Sequence, residues 1–101
     1  MRGPRTLLDV LNEFEERGYR AQLRARPGGV VECDACSSEG DAAGLDVAAY
    51  ERLEGASDPA DMMLVVAARC PSCEEAGTLV LTYGPMAPAE DSEVEARLEL
   101  D

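Results

Sequence analysis

Four cysteines fall into two pairs with the same internal gap. Cys33 and Cys36 stand in "VVECDACSSEG", and Cys70 and Cys73 stand in "ARCPSCEEAG". A Cys-x-x-Cys turn presents two thiolates at adjacent corners of a tetrahedron, and two such turns supply the four ligands of a structural zinc site. Thirty-three residues separate Cys36 from Cys70, room for an intervening strand and loop, and no cysteine is left over. The pattern predicts a zinc-ribbon-like four-cysteine site with Cys33, Cys36, Cys70 and Cys73 as metal ligands.

Three other thiol chemistries compete. Disulfides form in oxidising compartments, and nothing in the opening "MRGPRTLLDVLNEFEERG" resembles an export signal. A redox dithiol needs one Cys-x-x-Cys at a helix start in a βαβ setting, and neither pair here opens a recognisable helix. Iron also takes four thiolates, and spacing alone does not separate it from zinc. Glu32, Asp34, Glu74 and Glu75 flank the knuckles. A metal with four thiolates already carries net negative charge, so these acids add repulsion.

A catalytic metal keeps an open position for water, usually with histidine or carboxylate among its ligands. The chain has no histidine, and four thiolates close the coordination shell. Ser-His-Asp and Cys-His triads are absent for the same reason. There is no glycine-rich phosphate loop, and carboxylate pairs on so acidic a chain arise by chance. No catalytic residue is assigned, and the chain reads as a non-enzyme.

The elements that must hold the thiols follow from periodicity. In "PRTLLDVLNEFEERGY", Leu7, Leu8, Val10, Leu11 and Phe14 fall in one broad helical stripe. Thr6 and Asp9 resemble a capping box, and Gly18 offers a left-handed stop. "YRAQLRAR" alternates, with Ala21, Leu23 and Ala25 on one face and Arg20, Gln22, Arg24 and Arg26 on the other, as in a half-buried strand. Pro27 to Gly29 make a turn, and "VVEC" carries a second strand into Cys33. Cys36 to Gly44 read as a polar loop. "LDVAAYERLEG" is ambiguous: Val47, Tyr50 and Leu53 fit a helical face, and Tyr50 to Leu53 also fit a short strand. "ASDPAD" turns about Pro59. "MMLVVAAR" is apolar on both faces, the mark of a central strand. It pairs naturally with "TLVLTY", and "CPSCEEAG" between them has the length of a metal-binding knuckle. Gly84-Pro85 ends the sheet. Residues 86–101 form an acidic tail or a short helix capped by Ser92 and Glu95, with Val94 and Leu98 able to pack. No internal repeat is visible beyond the knuckles.

At 101 residues the chain makes one compact domain, residues 1–101, and small domains often need a cross-link or metal. There is no twenty-residue apolar run and so no expected membrane span. Twenty-one acids against nine basic residues give a net charge of −12. Nucleic-acid binding depends on basic side chains, so that partner class is disfavoured. Residues 1–32 hold six arginines and five acids, and residues 33–101 hold three arginines and sixteen acids. A cytoplasmic address is expected.

Three stretches resemble a family of uncharacterised bacterial proteins of similar length. They are "TLLDVLNEFEERGY", "YERLEGASDPADMMLVVAA" and "GTLVLTYGPMA". The matching positions are Arg17-Gly18-Tyr19, then Arg52-Leu53-Glu54-Gly55 with Ser57 and Pro59, then Tyr83-Gly84. Some members are labelled phosphoribosylpyrophosphate synthetase, an activity for which no substrate loop is present here. The resemblance implies a helix on an antiparallel sheet with "YERLEG" as a strand. It also implies a second candidate site at Arg52, Glu54, Ser57 and Asp58, for which turn chemistry is the favoured explanation. Leu53 where the family has Phe, and the two thiol knuckles, depart from its pattern.

The expected protein is therefore α+β: an N-terminal helix packed on a small antiparallel sheet, with a zinc-ribbon-like site of four cysteines linking two hairpin tips. Its expected role is a zinc-stabilised module that works through a protein partner. A redox- or zinc-responsive switch is the alternative, and a small-ligand-binding protein or enzyme is the second.

Overall fold

The structure is a computed structural model that describes residues 6–53, 62–84 and 87–98. Helix α1 spans Leu7–Glu16 and is followed by strands β1 (Ala21–Arg26), β2 (Val30–Cys33) and β3 (Glu39–Asp41). A single 3-10 turn, Ala42–Gly44, leads to β4 (Asp46–Leu53), β5 (Met63–Arg69), β6 (Ala76–Thr82) and helix α2 (Ala89–Leu98). The six strands form one sheet in the order β3-β2-β1-β6-β5-β4. Every pairing is antiparallel except β1 with β6, which run parallel over Ala21↔Gly77 to Leu23↔Leu79. Each half of the sheet is a three-stranded meander, and the parallel pair is the seam. A side chain at Gly77 would run into the backbone of Ala21, so glycine is what lets the seam close.

Helix α1 begins at a complete capping box. Thr6 Oγ1 accepts from the Asp9 N–H, and Asp9 Oδ2 accepts from the Thr6 N–H, both at 3.1 Å. It ends where Gly18 takes φ +102°. Val10 and Phe14 are buried against Val65 and Ala67 of β5, with Leu7 and Leu11 at the margin. Leu8 lies off this stripe and is 66% exposed. The stripe that reaches the sheet is thus narrower than the sequence pattern implies.

Residues of β5 alternate between two cores, which is why this strand is apolar throughout. Val65 and Ala67 face α1. Leu64, Val66 and Ala68 join Leu23, Val31, Leu79, Leu81 and Val94 on the opposite face. That second core lies on the concave side of a strongly curled sheet. Strands β3 and β4 occupy opposite edges, yet only residues 42–45 connect them. Five interstrand steps of a flat sheet span about 24 Å, whereas the connecting chain reaches about 19 Å at most. The sheet must therefore bend, and Ala42, fully buried, lines the inside of the bend.

Helix α2 closes one end of the curl. Val94 is fully buried in the concave core, with Leu98 packed against it. Around Val94, four side chains of α2 tie down the strand ends at that side. Asp91 accepts from the Thr82 N–H at 2.9 Å, and Glu93 accepts from the Gly28 N–H at 3.0 Å. Glu95 pairs with Arg52 at 3.4 Å, and Arg97 pairs with Asp41 at 2.9 Å. Within the tail, Ala89–Leu98 is thus a structural helix. It starts at Ala89, so Ser92 sits inside it, its N–H donating to the Pro88 carbonyl, and is not a cap.

Two further expectations change. The loop predicted over Cys36 to Gly44 contains β3 and the 3-10 turn. The ambiguous "LDVAAYERL" is one eight-residue strand with a register shift between Val47 and Ala49. Among the described residues, no helix is long and apolar enough to cross a membrane.

Candidate metal centre

The parallel seam decides where the cysteines go. Because β1 and β6 run together, their antiparallel neighbours β2 and β5 also run together, and both end at the same side of the sheet. Each then turns through a Cys-x-x-Cys. Cys33 continues the inward alternation of Val31, and Cys70 continues that of Leu64, Val66 and Ala68. Both sulfur-bearing residues are therefore buried at the mouth of the concave core, while Cys73 is half-buried and Cys36 is exposed. In a flat sheet β2 and β5 would stand about 14 Å apart. The curl that brings β3 toward β4 also brings these two tips together.

The four sulfurs converge within 4.8 Å of one another. Cys33 Sγ lies 3.8 Å from Cys73 Sγ, and Cys36 Sγ lies 3.7 Å from Cys70 Sγ. A tetrahedral ion with metal–sulfur bonds of about 2.3 Å has sulfur–sulfur edges of about 3.8 Å. Two of the six sulfur–sulfur distances thus match such an edge, and the cluster as a whole could hold one metal ion. The sulfurs are too close together to be spread over a multi-iron cluster, in which different irons carry different cysteines. All four thiols are free.

The two knuckles share one backbone geometry. The Cys33 N–H donates to the Ser38 carbonyl at 2.9 Å, and the Ser37 N–H donates to the Cys33 carbonyl at 2.8 Å. The second knuckle repeats this with Cys70 and Glu75 at 2.9 Å, and with Glu74 and Cys70 at 2.8 Å. The residue after each second cysteine is left-handed, Ser37 at φ 60° and Glu74 at φ 62°. Backbone N–H groups then point at the sulfurs in matching sets. Ala35 and Cys36 donate to Cys33, and Ser38 donates to Cys36. Ser72 and Cys73 donate to Cys70, and Glu75 donates to Cys73. These six dipoles offset the charge of a four-thiolate centre. They also answer the repulsion expected from Glu74 and Glu75, whose backbones serve the site while their carboxylates lie outside it.

This correspondence is an internal two-fold relation. "CDACSSEG" overlays "CPSCEEAG", so that Cys33 matches Cys70, Cys36 matches Cys73, and Gly40 matches Gly77. The two short sulfur contacts are exchanged by the same relation. One side chain breaks the symmetry. Ser38 Oγ lies 3.0 Å from Cys36 Sγ and 3.9 Å from Cys70 Sγ, bridging the knuckles with a hydroxyl. Its partner position holds Glu75. Sequence reasoning does not single out Ser38, although a hydroxyl two residues after a ligand cysteine is the available signal.

The thiols do not share one acidity. Burial pushes the Cys70 thiol up, but the N–H groups of Cys73 and Ser72, with the side chains of Cys73 and Ser38, bring it down to about 6. The Glu75 N–H lowers Cys73, but burial and the three neighbouring sulfurs outweigh it and push the thiol up to about 12. Burial also raises Cys33 against its two N–H donors. The Ser38 hydroxyl and N–H lower Cys36. Four clustered thiols without a cation resist ionising together, so one proton leaves readily and another very late. A divalent metal removes that conflict by neutralising the thiolates.

Arg52, from the other candidate site, pairs with Glu95, and its guanidinium stands 5.2 Å from the Tyr83 ring centre and 5.8 Å from that of Tyr50. Glu54, Ser57 and Asp58 lie outside the described residues.

In comparisons with known proteins, no family model, curated protein or solved structure matches the chain.

Proposed function

We propose that Cys33, Cys36, Cys70 and Cys73 hold a single zinc ion as a structural staple, in a small non-enzymatic module that works through protein contacts in the cytoplasm. The observation that carries this reading is the convergence of four sulfurs from two distant hairpin tips within one ligand sphere. Four thiolates leave no open coordination position, which suits a fixed staple. A site that needs all its thiols reduced suits a reducing compartment. The docking face is the strand carrying Gln22, Arg24 and Arg26, all exposed, on a chain that is otherwise strongly acidic. Native mass spectrometry with and without a chelator tests the staple. One zinc per chain, with loss of cooperative folding on removal, is expected; a fold indifferent to chelation would overturn it.

A specific cleft favours a second reading, as a small-ligand binder. Beyond Leu23 and Leu79, β1 and β6 no longer pair. A cleft of about 420 Å3 opens there, edged by Gln22, Arg24, Thr78, Glu90 and Asp91. Two carboxylates against one arginine make it a poor seat for a polyphosphate, which counts against the phosphoribosyl activity implied by the resemblance. A thermal-shift panel of neutral and cationic small molecules tests this reading. Silence across the panel removes it.

A further inference from the structure

We propose that peroxide converts the centre into two disulfides that cross between the knuckles, Cys33–Cys73 and Cys36–Cys70, expelling the metal while leaving the hairpin tips tied. This rests on the reading of the cysteines as a metal centre. The pairing itself rests on the two sulfur contacts of 3.8 and 3.7 Å.

The geometry separates crossing pairs from pairs within a knuckle. Bonding Cys33 to Cys36, or Cys70 to Cys73, draws together the two ends of one turn. That turn is held by its own backbone bonds and by N–H donors aimed at each sulfur separately. Crossing pairs join residues of different turns, so neither bond closes a turn on itself. Their sulfurs must close from 3.8 and 3.7 Å to about 2.05 Å. The two crossing bonds use different cysteines, so one does not block the other.

The entry point is Cys36, the exposed member of the set. Its thiolate attacks one oxygen of hydrogen peroxide, forming a sulfenic acid and releasing hydroxide. The Cys70 thiolate then attacks that sulfur and expels the second hydroxide, which completes the Cys36–Cys70 bond. A second peroxide does the same for Cys73 and Cys33. Two peroxides are reduced, four thiolates are oxidised, four hydroxides leave, and one divalent ion is set free. Ser38 stands beside the first pair, its hydroxyl 3.0 Å from Cys36 Sγ. A thiol reductant with fresh metal reverses the sequence.

The outcome differs from simple metal loss. Both crossing bonds join the β2–β3 tip to the β5–β6 tip, so oxidation substitutes a covalent tie for the ionic one. Pairs within the knuckles would leave the tips unconnected.

The test uses the full chain loaded with zinc. It is treated with graded hydrogen peroxide, zinc release is followed with a chelating dye, and linked peptides are sequenced by tandem mass spectrometry without reduction. Cys33–Cys73 and Cys36–Cys70 should be the dominant linkages, and the oxidised chain should keep a cooperative melt in excess chelator. Dominant Cys33–Cys36 and Cys70–Cys73 would overturn the proposal. So would Cys33–Cys70 with Cys36–Cys73, or oxidation that stops at sulfinic acid. The double variant Cys33→Ser/Cys73→Ser should still form Cys36–Cys70, and its failure to do so would also count as refutation. A chain that never binds zinc releases none to the dye at the start. That result sinks the zinc reading alone, and the same mapping on metal-free protein still decides the pairing.

Discussion

Cys33 and Cys73 are forty residues apart in the chain and belong to different hairpins, yet their sulfurs lie 3.8 Å apart. No disulfide joins them, and four thiols crowded without a cation repel as they ionise. The contact is one edge of a cluster of four sulfurs that could hold a metal ion. Structural zinc contributes about 10–16 kcal/mol in small zinc-dependent folds, as much as the whole stability of a typical domain, about 5–15 kcal/mol. Cys33→Ser is expected to cost about 3 kcal/mol or more and to lower the melting temperature by about 12–24 °C. Thermal melts in zinc-buffered solution provide the check. A variant that melts like the parent would show that the tips hold together without the ion.

Acid should release the metal. Bound thiolates carry no protons, whereas the metal-free site carries protons on Cys73, whose thiol is pushed up to about 12, and on Cys33, which burial raises. Binding at neutral pH therefore expels protons, and affinity rises with pH. As pH falls, protons compete with the metal for all four sulfurs, so affinity declines and the metal is lost in acid. Titration calorimetry in buffers of different ionisation enthalpy should report proton release on zinc binding at pH 7. A proton count of zero would contradict protonated Cys33 and Cys73 in the metal-free site.

The features legible in the sequence are those fixed by near neighbours along the chain. The Thr6–Asp9 capping box, the Gly18 stop and the Cys-x-x-Cys knuckles each depend on residues a few positions apart. Strand β4 is obscured by its own irregularity. The register shift between Val47 and Ala49 lets Val47 and Tyr50 face the same core. That spacing of three imitates a helix, although Leu53 in fact faces the other core. The parallel seam joins residues more than fifty positions apart and leaves no local mark. The burial of Ala42 follows from the curl of the whole sheet, which a polar run around it conceals.

The left-handed knuckle positions offer a stabilising change. Ser37 and Glu74 hold φ of 60° and 62°, a region that costs an L residue about 1–2 kcal/mol. Glycine avoids that cost but loses more freedom on folding. Ser37→Gly and Glu74→Gly are each expected to gain about 0.5–1 kcal/mol. Glu74→Gly also removes a negative charge beside an anionic centre, and it keeps the carbonyl that accepts from Arg69 Nη1 at 3.0 Å. Thermal melts at saturating zinc should rise by about 2–8 °C. Two unchanged variants would show that the left-handed cost is no larger than the freedom glycine loses on folding.

At the far end of the curl, Asp91 takes the place of a missing strand. β1 stops pairing with β6 after Leu23 and Leu79, so the Thr82 N–H finds no strand partner there. Asp91 Oδ2 accepts from it at 2.9 Å, in a half-buried setting, while Val94 three residues on fills the core. Removing the carboxylate leaves a part-buried donor unsatisfied, at about 1–3 kcal/mol. Asp91→Ala should lose that much, whereas Asp91→Asn, which keeps one acceptor oxygen, should recover most of it. The local readout is hydrogen exchange: the Thr82 amide should become faster in Asp91→Ala and stay slow in Asp91→Asn. Equal protection in both variants would mean that α2 is held by Val94 packing alone, and that the carboxylate contributes nothing to closing the sheet.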